Sequence, residues 1–295
     1  MRFGIMDMQL DMLLAGINPQ EDFGAQIGGF DQTTLVKQLN HAGFNLVELS
    51  GDLTLFFPNS FSEETISHLA KLKKDSGISY SVHLPLWSVE PSTPLTAVRA
   101  GSVQAVVECI NATQHLKPEM YVLHATGALA AEFYQMSLPD AVKSMILRLF
   151  QRCAAESIKE VLAKTGIEGR KLAIETIEFP FDMTLELADE LDLSICLDIG
   201  HVLTGFSGPI ELFEALEFCI PRLGEVHLHD APWQGSERNI GYGKDHQTLG
   251  TGDLDVARML KRLEDVNFSG PVIFELTLEE AFASLEYIER LQLDS

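Results

Sequence analysis

Short apolar runs alternate along the chain with longer segments whose apolar positions recur every three or four residues. The runs predict strands over residues 3–7, 46–50, 78–85, 120–126, 171–177, 194–200, 224–230 and 271–277. The longer segments predict helices, among them 62–76, 97–116, 138–164, 210–220 and 256–265. Repeated strand–helix alternation favours an α/β fold with a closed parallel (β/α)₈ TIM barrel over a doubly wound sheet. The chain has 295 residues. It fits a single domain over 1–295, since such barrels take roughly 250 residues. Gly43, Gly77, Gly166 and Gly169 precede strands, where a glycine ends the preceding helix at little steric cost, and Gly224 opens the seventh strand. Asp31 and Ser62 are expected N-caps.

Two predicted loops exceed what a compact barrel needs: 9–30 after the first strand and 231–253 after the seventh. Both follow strands and so belong to the C-terminal face, where extra loop usually covers a site.

Parity along the strands locates the candidate chemistry. Successive strand residues point to opposite faces. Val47 and Leu49 oppose Glu48; Tyr80, Val82 and Leu84 oppose Ser79, Ser81 and His83. Tyr121 and Leu123 oppose Val122, His124 and Thr126; Leu172 and Ile174 oppose Ala173 and Glu175. Leu197 and Ile199 oppose Cys196 and Asp198; Val226 and Leu228 oppose Glu225, His227 and His229; Val272, Phe274 and Leu276 oppose Ile273 and Glu275. One face suits the surrounding helices. The other carries an ionisable residue near the C-terminal end, so a barrel gathers His83, His124, Glu175, Asp198, His227, His229 and Glu275 in its mouth, with Glu48 nearby. Burying these carboxylates together is costly without a counter-charge. Basic residues are almost absent from these faces, and a divalent metal is the simplest alternative. Imidazole with carboxylate suits Zn²⁺, Mn²⁺ or Fe²⁺.

Composition narrows the partners. The net charge is −22. A surface this acidic repels nucleic acid and anionic membrane, leaving a small molecule as the expected substrate. No apolar run approaches the ~20 residues of a membrane span, and the N-terminus shows no signal-peptide pattern. The expected location is the cytoplasm. The four cysteines have no C-x-x-C spacing and read as buried thiols. The apolar helix faces suit either internal packing or a homodimer. Phe56, Phe57, Trp87 and Trp233 fall in loops after strands, where they would pack or stack on a substrate ring.

The segments LAIETIE, CLDIGH, EVHLHDAP and VIFELT resemble the xylose isomerase-like barrel superfamily across nearly the whole chain. That group includes sugar isomerases and epimerases, inosose dehydratase and the apurinic endonuclease IV type. The resemblance implies that Glu175, Asp198, His227 and Glu275 form the shared metal site. His201, three residues after the aspartate, would touch substrate as in epimerases or bind a third metal as in endonuclease IV. His83 in SVHLP and His124 in VLHATG match the endonuclease type's additional histidines, which with a bridging Glu175 would hold a second metal. The segment GKDHQTLGTGDL puts His246 on the endonuclease's later histidine, another third-metal ligand. It also puts Lys244 where that type has aspartate, with Asp245 adjacent. Lys244 would instead contact an anionic substrate oxygen.

Two metals, and a third that depends on this departure, would serve hydrolysis of a phosphodiester in a small substrate. Cobamide-remodelling phosphodiesterases, which split the nucleotide loop of B12-type cofactors, are similar, and the opening RFGIMDMQLDMLLAG resembles them. The alternative is a sugar or sugar-phosphate isomerase or epimerase, with one metal and a proton moved by Glu175 or Glu275. Trp233 stands where epimerases carry arginine, which weighs against it. An apurinic endonuclease is the second alternative and conflicts with the charge. Glu175, Glu275 and His201 are the expected catalytic residues. Glu48, His229, Lys244 and Trp233 are the expected substrate contacts.

Overall fold

The computed structural model describes residues 1–9, 12–13, 20, 30–235, 240–241 and 243–293. Its strands are β1 (Arg2–Met6), β2 (Leu46–Ser50), β3 (Ser79–His83), β4 (Tyr121–Leu123), β5 (Leu172–Glu175), β6 (Ser194–Asp198), β7 (Leu223–His227) and β8 (Pro271–Phe274). They close into a barrel in chain order, all parallel, with β8 pairing on β1. The helices around it are α1 (Gln32–His41), α2 (Leu53–Phe56), α3 (Glu63–Ser76), α4 (Thr96–Thr113), α5 (Ala128–Gln135) and α6 (Asp140–Thr165). They continue with α7 (Phe181–Glu190), α8 (Ile199–Leu203), α9 (Leu212–Cys219), α10 (Val256–Asp265) and α11 (Leu278–Leu293). Among the described residues no helix is long and apolar enough to cross a membrane.

The parity seen in the sequence is the parity of the barrel wall. Val47, Leu49, Val82, Leu123, Ile174, Leu197, Val226, Val272 and Phe274 are buried in one core cluster shared with the helices. Removing each such side chain from water is worth about 1.5–3 kcal/mol. Inside the barrel, Met120, Val122, Ala173 and Cys196 form a separate, smaller cluster. Polar inward residues face each other across the lumen: Ser81 Oγ donates to Glu225 Oε1 at 2.9 Å. The four cysteines are free and buried.

Local signals work as expected at the helix ends. Ser62 Oγ accepts from the Thr65 amide at 3.2 Å, and an Asp31 carboxylate oxygen accepts from Thr33 at 3.0 Å. Gly77, at φ 77°, closes α3 with its amide on the Lys73 carbonyl. All strands except β2 end one to three residues before their predicted limits. There the backbone leaves the ladder, so His124, His229 and Glu275 stand just beyond their strands.

Most of the predicted 9–30 loop lies outside the described residues, as do residues 236–239 and 242 of the 231–253 loop. The second loop is fastened by Asp230, which is fully buried. Its Oδ1 accepts from the amides of Ala231 at 2.9 Å and Leu254 at 3.0 Å, and its Oδ2 from Gly250 at 2.9 Å. Asp230 also pairs antiparallel with Gln247. The part of the loop that carries Asp245 and His246 thereby lies at the barrel mouth.

Candidate metal centre

Glu175, at the end of β5, is the centre of the mouth and 1% exposed. Its Oε2 lies 3.1 Å from His83 Nε2 and 3.0 Å from His124 Nε2. Its Oε1 lies 2.9 Å from His201 Nδ1. One carboxylate therefore faces two separate groups of nitrogen ligands with its two oxygens. His83 is held by donation from Nδ1 to the Leu84 carbonyl at 3.0 Å, which aims Nε2 inward. A backbone partner on the outer nitrogen is the usual way to orient a metal-binding imidazole.

Asp198 ends β6 and caps α8 without an intervening loop. Its Oδ1 accepts from the His201 amide at 2.6 Å. The Asp-x-x-His spacing is thus the spacing of an N-cap, and it brings the His201 ring back over the aspartate. Asp198 Oδ2 lies 3.3 Å from His201 Nδ1 and 3.5 Å from His227 Nδ1. His227 Nδ1 is 3.4 Å from Glu275 Oε2. His246 Nε2 reaches the same Glu275 oxygen at 3.2 Å.

The departure around Lys244 has a structural answer. His246 adopts φ 56°, a left-handed conformation uncommon outside glycine. In this turn the Asp245 carboxylate sits 3.3 Å from His201 Nε2 and 3.2 Å from His246 Nδ1. Lys244 is exposed. The loop supplies an aspartate to this group from the neighbouring position.

Potential ligand atoms converge to within 4.8 Å in adjoining sets. One is His83, His124 and Glu175; the next is Glu175, Asp198 and His227; a third is His201, Asp245 and His246. Among the described residues, Glu175 Oε1 and His201 Nδ1, paired at 2.9 Å, and His227 Nδ1 are buried without a well-aligned hydrogen bond. Such atoms are costly unless something binds them. Their chemistry, imidazole nitrogen with carboxylate oxygen, fits a divalent ion of the Zn²⁺, Mn²⁺ or Fe²⁺ type.

His229 approaches Asp198, His246 and Glu275 but is differently engaged. Its Nδ1 accepts from the His246 amide at 2.9 Å, so its proton sits on Nε2, 2.9 Å from Asp198 Oδ2. It orients the aspartate and has no free lone pair for a metal. Gly200 makes room for it: a Cβ there would collide with the His229 ring.

The electrostatics are those of ionised carboxylates beside imidazoles raised at His83, His201, His227 and His246. Burial would raise Glu175, but His124, His201 and His83 hold it well below the usual carboxylate range. Burial also opposes charge on His83, yet Glu175 lifts it to about 9. His246, raised against its burial by Asp245 and Glu275, reaches about 10. Burial lowers His229, consistent with its neutral tautomer.

A cavity of about 1000 Å³ opens over this centre. His83, His124, Glu175, His201, Asp245, His246 and Glu275 reach its wall, together with Met8, Leu86, Trp87, Leu129 and Phe206. Asp198 and His227 lie beneath it. The four expected substrate contacts do not line it. Glu48 and His229 are fully buried. Inward parity carries Glu48 below the mouth, its Oε2 3.4 Å from His227 Nε2, whereas His229 stands beyond β7 and is covered by the stacked His246 ring. Trp233 turns outward, 38% exposed, with its amide on Asp253. Of the loop aromatics, Trp87 faces the cavity and Phe56 packs edge-on against it, whereas Phe57 stacks under Phe30.

Sequence reasoning missed Asp245 as a member of the centre and overlooked Glu178 and Glu90, which also line the cavity. Glu178 lies in LAIETIE, three residues after Glu175, and strict strand parity sends it to the opposite face. A φ of 63° at Glu178 breaks that parity. Glu90 sits in the loop after β3, where no periodicity points to it.

Comparison with known proteins agrees with this architecture. The D-tagatose 3-epimerase-like protein superposes with a TM-score of 0.71 at 21% identity, covering 99% of this chain and 97% of that one. The 3-keto-D-glucoside 4-epimerase of E. coli gives 0.66 at 16% identity, with 99% of each chain covered. Endonuclease IV from Thermus thermophilus gives 0.64 at 16% identity over 100% of each. An uncharacterized protein of Methanocaldococcus jannaschii is 23% identical over 232 residues, 77% of this chain and 75% of its own length. The family model for the xylose isomerase-like TIM barrel matches residues 36–291, and the chain belongs to that family.

Proposed function

We propose that the protein is a divalent-metal-dependent hydrolase of a phosphodiester in a small substrate. The observation that carries this reading is the double engagement of Glu175, with His83 and His124 on Oε2 and His201 on Oε1. A one-metal site needs no histidine pair on the far oxygen. Glu175, Asp198, His227 and Glu275 would hold one ion, and His83 and His124 with Glu175 a second. His201, Asp245 and His246 would hold a third. Bound ions of this kind lower the pKa of water and offset charge on phosphoryl oxygens.

The protein's own residues then do the rest. Leu84 and His229 fix the orientation of His83 and Asp198 through the hydrogen bonds described above. Met8, Leu86, Trp87 and Phe206 give the cavity an apolar wall that limits water. Among the described lining residues there is no lysine or arginine. This, with a net charge of −22, suits a substrate with one diester charge and not a polyanion. The nucleotide loop of a cobamide meets that description.

A sugar epimerase is the second reading, favoured by one observation: two carboxylates, Glu175 and Glu275, reach the same cavity. Metal content separates the two. Protein loaded with Mn²⁺, Zn²⁺ or Fe²⁺ is expected to retain two or more ions per chain by elemental analysis. It is expected to cleave bis(p-nitrophenyl) phosphate or a cobamide. One ion per chain, with ketose epimerisation and no phosphodiester cleavage, would overturn the hydrolase reading.

A further inference from the structure

Glu178 belongs to none of the ligand sets, yet it lines the same cavity. It is 9% exposed, and its Oε2 is buried without a hydrogen-bond partner. Its left-handed backbone costs a non-glycine residue roughly 1–3 kcal/mol, and such strain tends to gather at functional sites. Here the left-handed residue lies three positions beyond the end of β5 and its side chain lines the cavity.

Three charged groups face Glu178: Glu90 from the loop after β3, Glu175 from β5 and His201 from α8. Glu90 is already satisfied. Both its oxygens accept from the Gly127 amide at 3.0 Å, and Oε1 accepts from Ser92 Oγ at 2.5 Å. Burial first, then Glu90, pushes the Glu178 carboxyl up to about 8, with His201 opposing in part. Burial thus favours the acid form in the metal-free protein, and among the described residues Oε2 has no hydrogen-bond partner.

We propose that Glu178 is the general acid of this site, protonating the leaving oxygen of the phosphodiester. The proposal rests on the hydrolase reading. As water forms its bond to phosphorus, the P–O bond to the leaving group breaks and its electron pair stays on that oxygen. The oxygen takes the proton from Glu178 and departs as an alcohol. The attacking water sheds a proton to solvent, and the Glu178 carboxylate recovers one from solvent before the next turnover.

The test compares the metal-loaded wild type with Glu178→Gln, which keeps shape and hydrogen-bond donation but has no proton to give. The probes are diphenyl phosphate, with a basic leaving group, and bis(p-nitrophenyl) phosphate, whose leaving group is stable as an anion. In the variant, kcat on diphenyl phosphate is expected to fall by about a hundredfold, and on bis(p-nitrophenyl) phosphate at least tenfold less. Bound metal is expected to match the wild type. An infrared difference spectrum of the two loaded proteins at pH 7 is expected to show a neutral carboxyl band. In the wild type that band fades as pH rises and the carboxyl ionises. Equal slowing on both probes, or no neutral carboxyl in the loaded protein, overturns the role of Glu178 and leaves the hydrolase reading standing. A wild type that cleaves neither probe nor a cobamide overturns the hydrolase reading, and the general-acid role with it. The infrared difference still reports separately whether Glu178 carries a proton.

Discussion

The two ends of the barrel hold charge in opposite ways. At the N-terminal end, Arg2 pairs with Glu119 at 2.5 Å, and Lys171 donates to the Glu119 carbonyl at 3.1 Å. Those ions lie near water around an apolar plug of Met120, Val122, Ala173 and Cys196. At the C-terminal end, carboxylates and imidazoles crowd together beneath a cavity, with buried atoms left without well-aligned hydrogen bonds among the described residues. The first arrangement closes the fold. The second leaves a deficit that a ligand can fill, and it is where strain and perturbed protonation accumulate.

The sharpest way to break this contrast is to remove the shared carboxylate. Glu175→Gln is expected to lose at least one bound ion per chain by elemental analysis and to lower hydrolytic activity by orders of magnitude. Full metal content and near-normal rates would mean that Glu175 is not the shared ligand. A smaller effect is expected at the loop. Asp245→Asn should weaken binding of one ion by about 10- to 100-fold in a competition titration. Lys244→Ala should leave it unchanged, and the reverse order would restore Lys244 to the site.

Protons offer a milder probe. Glu175 holds His83 protonated up to about 9 despite its burial, and Asp245 and Glu275 hold His246 up to about 10. These nitrogens must lose their protons to become ligands, so affinity should rise as pH increases toward 9. Calorimetry at pH 7 in buffers of different ionisation heat should detect proton release on metal binding. Metal affinity that falls with rising pH over that range would contradict the protonation of the empty set. The smallest effect is at the other end: Arg2→Ala should cost less than about 1 kcal/mol in denaturant unfolding, because its ion pair is exposed. Its metal content should match the wild type.

Legibility followed the same contrast. Period-two parity survives to the last residue of a strand, so His83, Glu175, Asp198 and His227 were readable from the sequence. His124 and Glu275 were readable because they lie within two residues of strand ends, close enough to keep the inward direction. The same parity misled for Glu48 and His229. It tells which way a side chain points and not how deep it lies. Asp245 and Glu178 were hidden for another reason. Each depends on a left-handed residue that is not glycine, at His246 and at Glu178 itself. No local propensity announces such a turn, because the surrounding packing imposes it. The helix caps at Asp31 and Ser62 were readable because they rest on single side-chain contacts within one turn.

The Asp230 clamp has a consequence for how this barrel can change. One buried side chain grips the amide that begins the loop after β7 and two amides near its close. Between those grips the stretch ahead of Asp245 can be lengthened, shortened or exchanged while the two ends keep their place, provided that Asp245 and His246 stay. The segment behaves as an interchangeable cassette, in which new substrate preferences can be tried by loop grafting without recutting the barrel. Grafts that respect the clamp should keep Asp245 and His246 within reach of His201. A swap that includes Asp230 would put cassette and metal centre at risk together.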